Sequence, residues 1–257
     1  MLRVSVAILN RVVFLHPQNA VLMLALERKA TALSRNNVHV RAQPFGGAVR
    51  ILNPAHLQEI IGEIQFYSER SKHEQDFRIL IPPSNWEEVK RYCLRHLQNP
   101  MDRELESLPH RELREEFLET IQVHLHRNQY TFQPLGSIVE GNPIPTDDAK
   151  VPGPPTVRLY RIFEVRVIDE LLCKKMVSAS QAYSDRDLEM LAVKDLQNGG
   201  RGRANSILTL PLHIVTESCL EFASEVRYSK IVVENHELDV SVLAILGGGN
   251  VPQYQRV

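Results

Sequence analysis

Residues 107–125, SLPHRELREEFLETIQVHL, are the stretch from which the fold can be predicted. On a helix that turns by about 100° per residue, four of their carboxylates share an arc roughly 100° wide. These are Glu112, Glu115, Glu116 and Glu119. The apolar residues fall on the other side of the helix: Leu113, Phe117, Leu118, Ile121 and Leu125. The pattern therefore predicts an amphipathic helix with one packed face and one acidic face.

Two interpretations of the acidic face remain open. Like charges three or four residues apart on a helix cost about 0.2–0.5 kcal/mol per pair, so the face needs either water or a compensating cation. Hard divalent cations such as Mg²⁺ or Mn²⁺ bind clusters of carboxylate oxygens and bridge them to the phosphates of a substrate. The face is therefore either a solvated surface or a metal site.

A glycine pair upstream favours the metal site. Residues 38–41, VHVR, have the pattern of a strand, and residues 43–47, QPFGG, follow it as a turn. Two adjacent glycines permit positive φ and a close approach of the backbone to an anion. A Pro-x-Gly-Gly turn followed by a helix that reads Arg-Glu-aliphatic-x-Glu-Glu resembles the motif of the Nudix hydrolase family.

The resemblance to Nudix hydrolases implies a fold and a set of roles. The implied fold is α/β, with a mixed sheet sandwiched between helices, and the implied cofactor is Mg²⁺ or Mn²⁺. The residues that match the family's catalytic, metal-binding glutamates are Glu112, Glu115 and Glu116. Arg111 matches the arginine that orients these glutamates, and it completes the implied catalytic set. Gly46 and Gly47 match the turn that binds the substrate's diphosphate.

The chain departs from the family's motif at three points. In the family the glycine pair and the arginine are little more than a dozen residues apart, whereas here residues 48–110 intervene. The position of the motif's earlier glutamate is occupied by Arg103, with Asp102 and Glu104 beside it. The glycine that ends the motif is replaced by Leu118. These departures concern the chemistry of the site more than the fold.

Three functions remain open. The first is a metal-dependent hydrolase that cleaves the pyrophosphate bond of a nucleoside diphosphate linked to another moiety. The second is a catalytically weak or inactive module of the same fold that binds a nucleotide, which Arg103 and Leu118 favour. The third is a protein–protein adaptor that uses the helices of the insertion. The layout is similar to that of Nudix domains encoded beside bacterial nucleotide-signalling defence systems.

We expect a single Nudix-like domain over residues 1–257, with an insertion at 51–101 and a C-terminal, mainly helical extension at 207–257. Apolar spacing within the insertion predicts a helix, a charged turn, a strand and a second helix, at residues 54–67, 68–76, 77–81 and 86–97. The apolar stripes of these helices need a partner, so we expect the insertion to pack beside the site as a flap or as a dimer contact.

Alternating apolar residues predict further strands, at residues 3–15, 20–28, 130–140, 157–167 and 230–234. The predicted helices outside the insertion are the acidic helix and residues 188–197 and 212–228. A loop rich in Pro, Gly and Asp is predicted at 141–156. Arg201 and Arg203 lie among glycines, where they either bind substrate phosphate or belong to a solvated loop.

Composition restricts the class of protein. The 257 residues are 43% hydrophobic, which is enough for one ordinary core, and a net charge of −1 gives no overall attraction to nucleic acid or to an anionic membrane. The apolar N-terminal run is interrupted by Asn10 and Arg11, so it predicts a strand rather than a membrane span or a signal. Three widely spaced cysteines, Cys93, Cys173 and Cys219, indicate reduced and partly buried thiols. We expect a cytoplasmic protein that binds a small nucleotide, with a homodimer left open.

Overall fold

The structure, a computed structural model, describes residues 1–140, 143–145, 153–220, 230–247 and 254–256. Its strands are β1 Leu2–Leu15, β2 Leu22–Ser34, β3 Asn37–Gln43, β4 Phe45–Ala48, β5 Gln65–Phe66, β6 Arg78–Ile81, β7 Tyr130–Glu140, β8 Ile144–Pro145, β9 Pro155–Val167, β10 Arg203–Pro211, β11 Ile231–Val233, β12 His236–Leu238 and β13 Tyr254–Arg256. Its helices are α1 Ala55–Ile61, α2 Glu69–Glu74, α3 Trp86–Leu97, α4 His110–Ile121, α5 Glu170–Gln181, α6 Asp185–Gln197, α7 Leu212–Leu220 and α8 Ser241–Ile245.

Strand β1 organises the sheet. One of its edges pairs antiparallel with β6, β4 and β2 in turn, and the other pairs parallel with β9 from Arg3 to Val13. Strand β2 continues the sheet to β3 and β10, and β9 continues it to β7. The pairing is thus both parallel and antiparallel, and it confirms the predicted mixed sheet.

Alternation along β1 divides the core between the two faces of the sheet, because successive side chains of a strand point to opposite faces. Val4, Val6 and Ile8 belong to one buried cluster, which also contains apolar residues of α3, α4 and α5. Leu9 and Val13 belong to a second cluster, which contains residues of α7 and the apolar residues of α8. The sheet therefore lies between two helical layers, as the Nudix resemblance implies.

The insertion is part of the central core and not a separate flap. Strand β6 pairs with the first residues of β1, and Phe77, Ile79 and Ile81 are fully buried in the main cluster. The prediction of a flap was wrong because the pairing of residues 78–81 with the N-terminus is long-range and has no local signature. The segment predicted as a charged turn contains α2, which begins after Ser68, whose side chain accepts a hydrogen bond from the Ser71 N–H.

The chain beyond Gly202 also differs from the prediction. Residues 203–211 form β10, which pairs with β2 from Thr31 to Met23 and extends the central sheet across the predicted boundary at 207. No strand was predicted for this segment, because its alternation is short and is flanked by glycines and a proline. Helix α7 confirms the start of the predicted helix at 212, while residues 221–229 lie outside the described residues. Most of the predicted loop at 141–156 also lies outside them.

Several local predictions are confirmed. Strands β1, β2, β7 and β9 and helices α3, α4 and α6 lie where apolar spacing placed them. The three cysteines are free and buried. Among the described helices, none has both the length and the apolar character that a membrane span requires.

Candidate functional site

Helix α4 is held on the sheet by three apolar residues spaced four apart. Leu113, Phe117 and Ile121 are buried, and the ring of Phe117 lies 5.0 Å from that of Phe45 on β4. Leu118, which was predicted on the packed face, is 41% exposed, because it is rotated by about 100° from Phe117 around the helix. When α4 packs in this orientation, part of its acidic face points towards β4.

The glycine pair lies inside β4 and is not the turn that was predicted. Gly46 pairs with Leu9 and Gly47 with Ile8 of β1. A Cβ atom added at Gly46 would lie 2.1 Å from the carbonyl oxygen of Ile8, and one added at Gly47 would lie 1.9 Å from Oε2 of Glu112. Close packing against backbone therefore requires glycine at position 46, whereas at Gly47 the close neighbour is the end of a side chain of α4.

Two of the predicted glutamates converge on this glycine pair. The carboxylate of Glu116 accepts a hydrogen bond from the backbone N–H of Gly46, and that of Glu112 lies over Gly47. Burial and the neighbouring charges of Glu27 and Glu112 raise the pKa of Glu116 well above its usual value. Burial likewise raises the pKa of Glu112 to about 7, although Arg111 opposes the rise. The site thus concentrates carboxylates whose negative charges are mutually unfavourable.

Arg111 orients the acidic residues around it, as the motif implies. Its Nε donates to Glu106 Oε2 at 2.8 Å, and its Nη1 donates to Glu115 Oε2 at 3.2 Å. Its Nη2 forms an ion pair with Glu112 and donates to the carbonyl oxygen of Ala48 at 3.0 Å. One guanidinium therefore ties three carboxylates of the α4 region to the end of β4.

Glu115 has a different environment from the other two motif glutamates. Its side chain is 53% exposed, whereas that of Glu112 is 12% exposed. Among the described residues, no three His, Cys, Asp or Glu side chains are placed so that they could already hold a metal ion. The reason is visible in the contacts: Arg111 holds Glu112 and Glu115, and the Gly46 N–H holds Glu116. The donor chemistry fits a hard cation, but rotation of these side chains would be needed to bring them together.

Two acidic residues of this region, Glu27 and Glu106, were not predicted from the sequence. Glu27 on β2 is 1% exposed, accepts a hydrogen bond from Gln43 Nε2 at 2.8 Å, and lies close enough to Glu116 to raise its pKa. Glu106 accepts the hydrogen bond from Arg111. A signal for Glu27 was present, because it shares the alternation of the inward-facing residues Met23 and Ala25 on β2.

The acidic residues beside Arg103 do not contribute to this region. Arg103 itself is exposed. Asp102 contacts Nδ1 of His96 at 2.8 Å, and Glu104 Oε1 accepts from Asn53 Nδ2 at 3.0 Å. Asp102 and Glu104, which lie beside the position of the motif's earlier glutamate, thus bind residues of the insertion.

Arg201 and Arg203 lie at the start of β10, next to the end of α6. The backbone N–H of Arg203 donates to Asp195 Oδ2 at 3.1 Å, and Arg203 pairs with Thr31 of β2. Glu27 pairs instead with Ile207, four residues further along β10, which corresponds to about 13 Å of strand. The structure therefore does not bring these two arginines to the glycine pair.

Comparison with known families gives one match. A family model described as the SMODS-associated NUDIX domain matches residues 2–209. The matched range contains β4, α4 and the whole insertion, and it ends within β10. Searches of curated proteins and of solved structures gave no match.

Proposed function

The chain belongs to the family of SMODS-associated NUDIX domains, and from this membership we propose that it is a metal-dependent hydrolase of a nucleoside diphosphate linked to another moiety. The bond cleaved would be the pyrophosphate bond. The observation that carries the proposal is the convergence of α4 and β4, in which Glu116 contacts Gly46 across 70 residues of sequence. Association with nucleotide-signalling defence systems makes a nucleotide the preferred class of substrate.

The residues proposed to hold Mg²⁺ or Mn²⁺ are the motif glutamates Glu112, Glu115 and Glu116. When bound, the ion supplies charge neutralisation for the diphosphate oxygens and makes phosphorus a better target for water. Burial and neighbouring carboxylates raise the pKa values of Glu112 and Glu116, and a bound cation would offset both effects.

The chain's own residues have distinct tasks in this proposal. Gly46 and Gly47 allow α4 to approach β4 closely, so that the carboxylates of Glu112 and Glu116 reach the backbone of β4. Arg111 fixes the orientation of Glu112 and Glu115. Glu27 lies outside the motif helix and beside Glu116, and we assign it the role of accepting the proton of the attacking water.

A second function is favoured by a specific observation. Arg111 already neutralises Glu112 and Glu115, and the described residues contain no ready cluster of metal ligands. A domain with this arrangement would bind a nucleotide without turning it over. Arg103 and Leu118, which replace the outer residues of the motif, support the same alternative.

Product analysis distinguishes the two functions. The wild-type protein is incubated with a panel that includes ADP-ribose and dinucleoside diphosphates, with Mg²⁺, with Mn²⁺ and with EDTA. Metal-dependent release of a nucleoside monophosphate supports the hydrolase. Absence of product with every metal, together with a rise in melting temperature on adding a nucleotide, supports the binding module.

A further inference from the structure

A cavity of about 1030 Å³ lies along the side of α4 adjacent to the carboxylate site. Helix α4 contributes its first residue, His110, and four residues that fall on one face of the helix: Arg111, Arg114, Glu115 and Leu118. The remaining wall comes from Leu52, from the connector before α4 and from residues 124–127 after the helix. Arg111 and Glu115 thus belong both to this cavity and to the carboxylate site.

The acidic groups of the cavity are paired. Glu106 and Glu115 both accept hydrogen bonds from Arg111, at 2.8 Å and 3.2 Å. Asp102 contacts His96 Nδ1 at 2.8 Å and accepts from the backbone N–H groups of Glu104 and Leu105. Their charges are therefore offset by partners outside or at the edge of the cavity.

Two basic groups of the cavity have no such partner. Arg114 and Arg127 are exposed, and neither forms an ion pair or hydrogen bond with any residue that the structure describes. Both arginines line the cavity, and both lie close enough to Tyr130 to affect it: burial raises the pKa of the Tyr130 hydroxyl, and Arg127 and Arg114 each oppose the rise. The hydroxyl of Tyr130 lies 2.6 Å from Nδ1 of His110, which also lines the cavity. Two positive charges without an ion-pair partner among the described residues thus line the part of the cavity near Tyr130.

The N-terminus of α4 reinforces this positive end. The helix has twelve residues, and its N-cap position is Pro109, which provides no side-chain acceptor for the first backbone N–H groups. Free N–H groups at a helix N-terminus and the helix dipole both favour an anion. The connector residues beside them, Ser107 and Leu108, line the cavity.

Part of the cavity wall is apolar. Leu105 and Leu125 form buried parts of its wall, while Leu52 and Leu118 remain 52% and 41% exposed. Large apolar side chains exposed beside unpaired arginines match a ligand that has an anionic group and a flat or apolar body. A free inorganic anion would leave these leucines uncovered.

We propose that this cavity binds a nucleoside monophosphate unit, with the phosphate on Arg114 and Arg127 and the nucleoside against Leu118 and Leu52. The proposal rests on the proposed function in one respect, because it makes the cavity the subsite for the part of the substrate beyond the cleaved bond. The shared residues Arg111 and Glu115 place the subsite next to the carboxylates. Binding at this subsite needs no metal.

Calorimetric titration in EDTA tests the proposal, with AMP, adenosine and inorganic phosphate as the probes. We expect AMP to bind more tightly than phosphate and adenosine to bind most weakly. Arg114→Gln and Arg127→Gln should each weaken AMP binding by about tenfold, the loss expected for one charge-assisted hydrogen bond. Leu118→Ser should weaken AMP binding and leave phosphate binding unchanged. Arg186→Gln, which alters an exposed arginine of α6, is the matched control and should bind AMP as the wild type does.

The two proposals fail in different ways. If the wild type does not hydrolyse any nucleotide but AMP binding depends on Arg114 and Arg127, the hydrolase is excluded and the subsite stands. If hydrolysis is observed but both arginine variants bind AMP and turn over substrate as the wild type does, the subsite is overturned and the hydrolase stands. Failure of the wild type to bind AMP or phosphate also overturns the subsite. Thermal unfolding of each variant confirms folding, since both arginines are exposed.

Discussion

The carboxylate of Glu116 accepts a hydrogen bond from the backbone N–H of Gly46, which precedes it by 70 residues. This contact joins the two parts of a motif that the insertion separates in sequence. The carboxylate of Glu112 likewise lies over Gly47, so that both glycines lie against α4. The insertion leaves the geometry intact because β6 and α3 are built into the core beside β1 and α4.

The first prediction concerns the charge of Glu116. Glu116→Gln keeps an acceptor for the Gly46 N–H and removes a charge that burial, Glu27 and Glu112 make unfavourable. We expect the free energy of unfolding without metal to rise by about 1 kcal/mol. Hydrolysis should fall by about two to three orders of magnitude, because a metal ion contributes several kcal/mol to catalysis. Denaturant unfolding and product analysis measure the two effects.

Glu119→Gln is the control for this prediction, because Glu119 lies on the same helix and is exposed. Glu119→Gln should change neither the free energy of unfolding nor the rate of hydrolysis. Wild-type rates of hydrolysis in Glu116→Gln would show that the carboxylate does not serve the metal.

The second prediction compares the two glycines. Gly46→Ala places a methyl group against the carbonyl oxygen of Ile8, which is backbone and cannot move aside. We expect a loss of about 3 kcal/mol in the free energy of unfolding. Gly47→Ala meets only the carboxylate of Glu112, which can rotate, so the loss should be about 1 kcal/mol while hydrolysis is abolished. If urea unfolding showed equal destabilisation of the two variants, the proposed difference between a backbone neighbour at Gly46 and a side-chain neighbour at Gly47 would be wrong.

The third prediction concerns Arg111. Arg111→Gln leaves Glu106, Glu112 and Glu115 without their common cation, so it should reduce the free energy of unfolding by about 3 kcal/mol. Arg111→Lys keeps the charge but cannot make several directed hydrogen bonds at once. Its free energy of unfolding should therefore lie between that of Arg111→Gln and that of the wild type. Added Mg²⁺ should stabilise Arg111→Gln more than the wild type, as measured by melting temperature. Arg95→Gln, an exposed change on α3, should behave as the wild type does.

The fourth prediction tests whether the insertion belongs to the core. Ile79 on β6 is fully buried, so Ile79→Ala should cost about 3 kcal/mol through lost burial and the cavity left behind. Leu33, which is 69% exposed, provides the control, and Leu33→Ala should change the stability by less than about 0.5 kcal/mol. Removal of residues 51–101 should prevent folding altogether, and a folded deletion variant detected by circular dichroism would refute the assignment.

The fifth prediction is that two acidic residues, Asp76 and Glu74, change the free energy of unfolding with pH in opposite directions. Asp76 is 5% exposed, and burial raises its pKa above the unfolded value. The folded state then holds this proton more tightly, so the wild type loses stability relative to Asp76→Asn as pH rises through the folded pKa. We expect the free energy of unfolding of the wild type, relative to that of Asp76→Asn, to be lower at pH 7 than at pH 4, as measured by urea unfolding at each pH.

Glu74 provides the opposite case. Burial acts to raise its pKa, but the hydrogen bond from Arg70 and neighbouring positive charges outweigh burial and lower it. The stabilisation from this residue is present above the unfolded pKa and is lost as pH falls through the folded pKa. Glu74→Gln should therefore lose stability relative to the wild type as pH rises. Curves that run in the same direction for both variants would contradict the assignment of these shifts.

The parts of the fold that could be predicted are those with local signals. Helix α4 followed from the four-residue spacing of Leu113, Phe117 and Ile121, and the site followed from the glycines and glutamates of a known motif. Strand β10 was missed because its stability comes from pairing with β2, which lies far away in sequence. The core position of β6 was missed for the same reason. Glu27 joins the site only through the sheet, and its significance depends on which face of β2 is covered by α4.

The parallel pairing of β1 with β9 has a consequence for biosynthesis. The ion pair between Arg11 and Glu164, which joins the two strands, closes a separation of 153 residues. At a synthesis rate of about 5–20 residues per second, β1 emerges from the ribosome roughly 10–30 s before its parallel partner. During this interval one edge of a long apolar strand is open to other chains, which makes N-terminal fragments prone to aggregation. Slower translation before residue 167 would lengthen the exposure, so the yield of folded protein should depend on chaperones that shield the first strand.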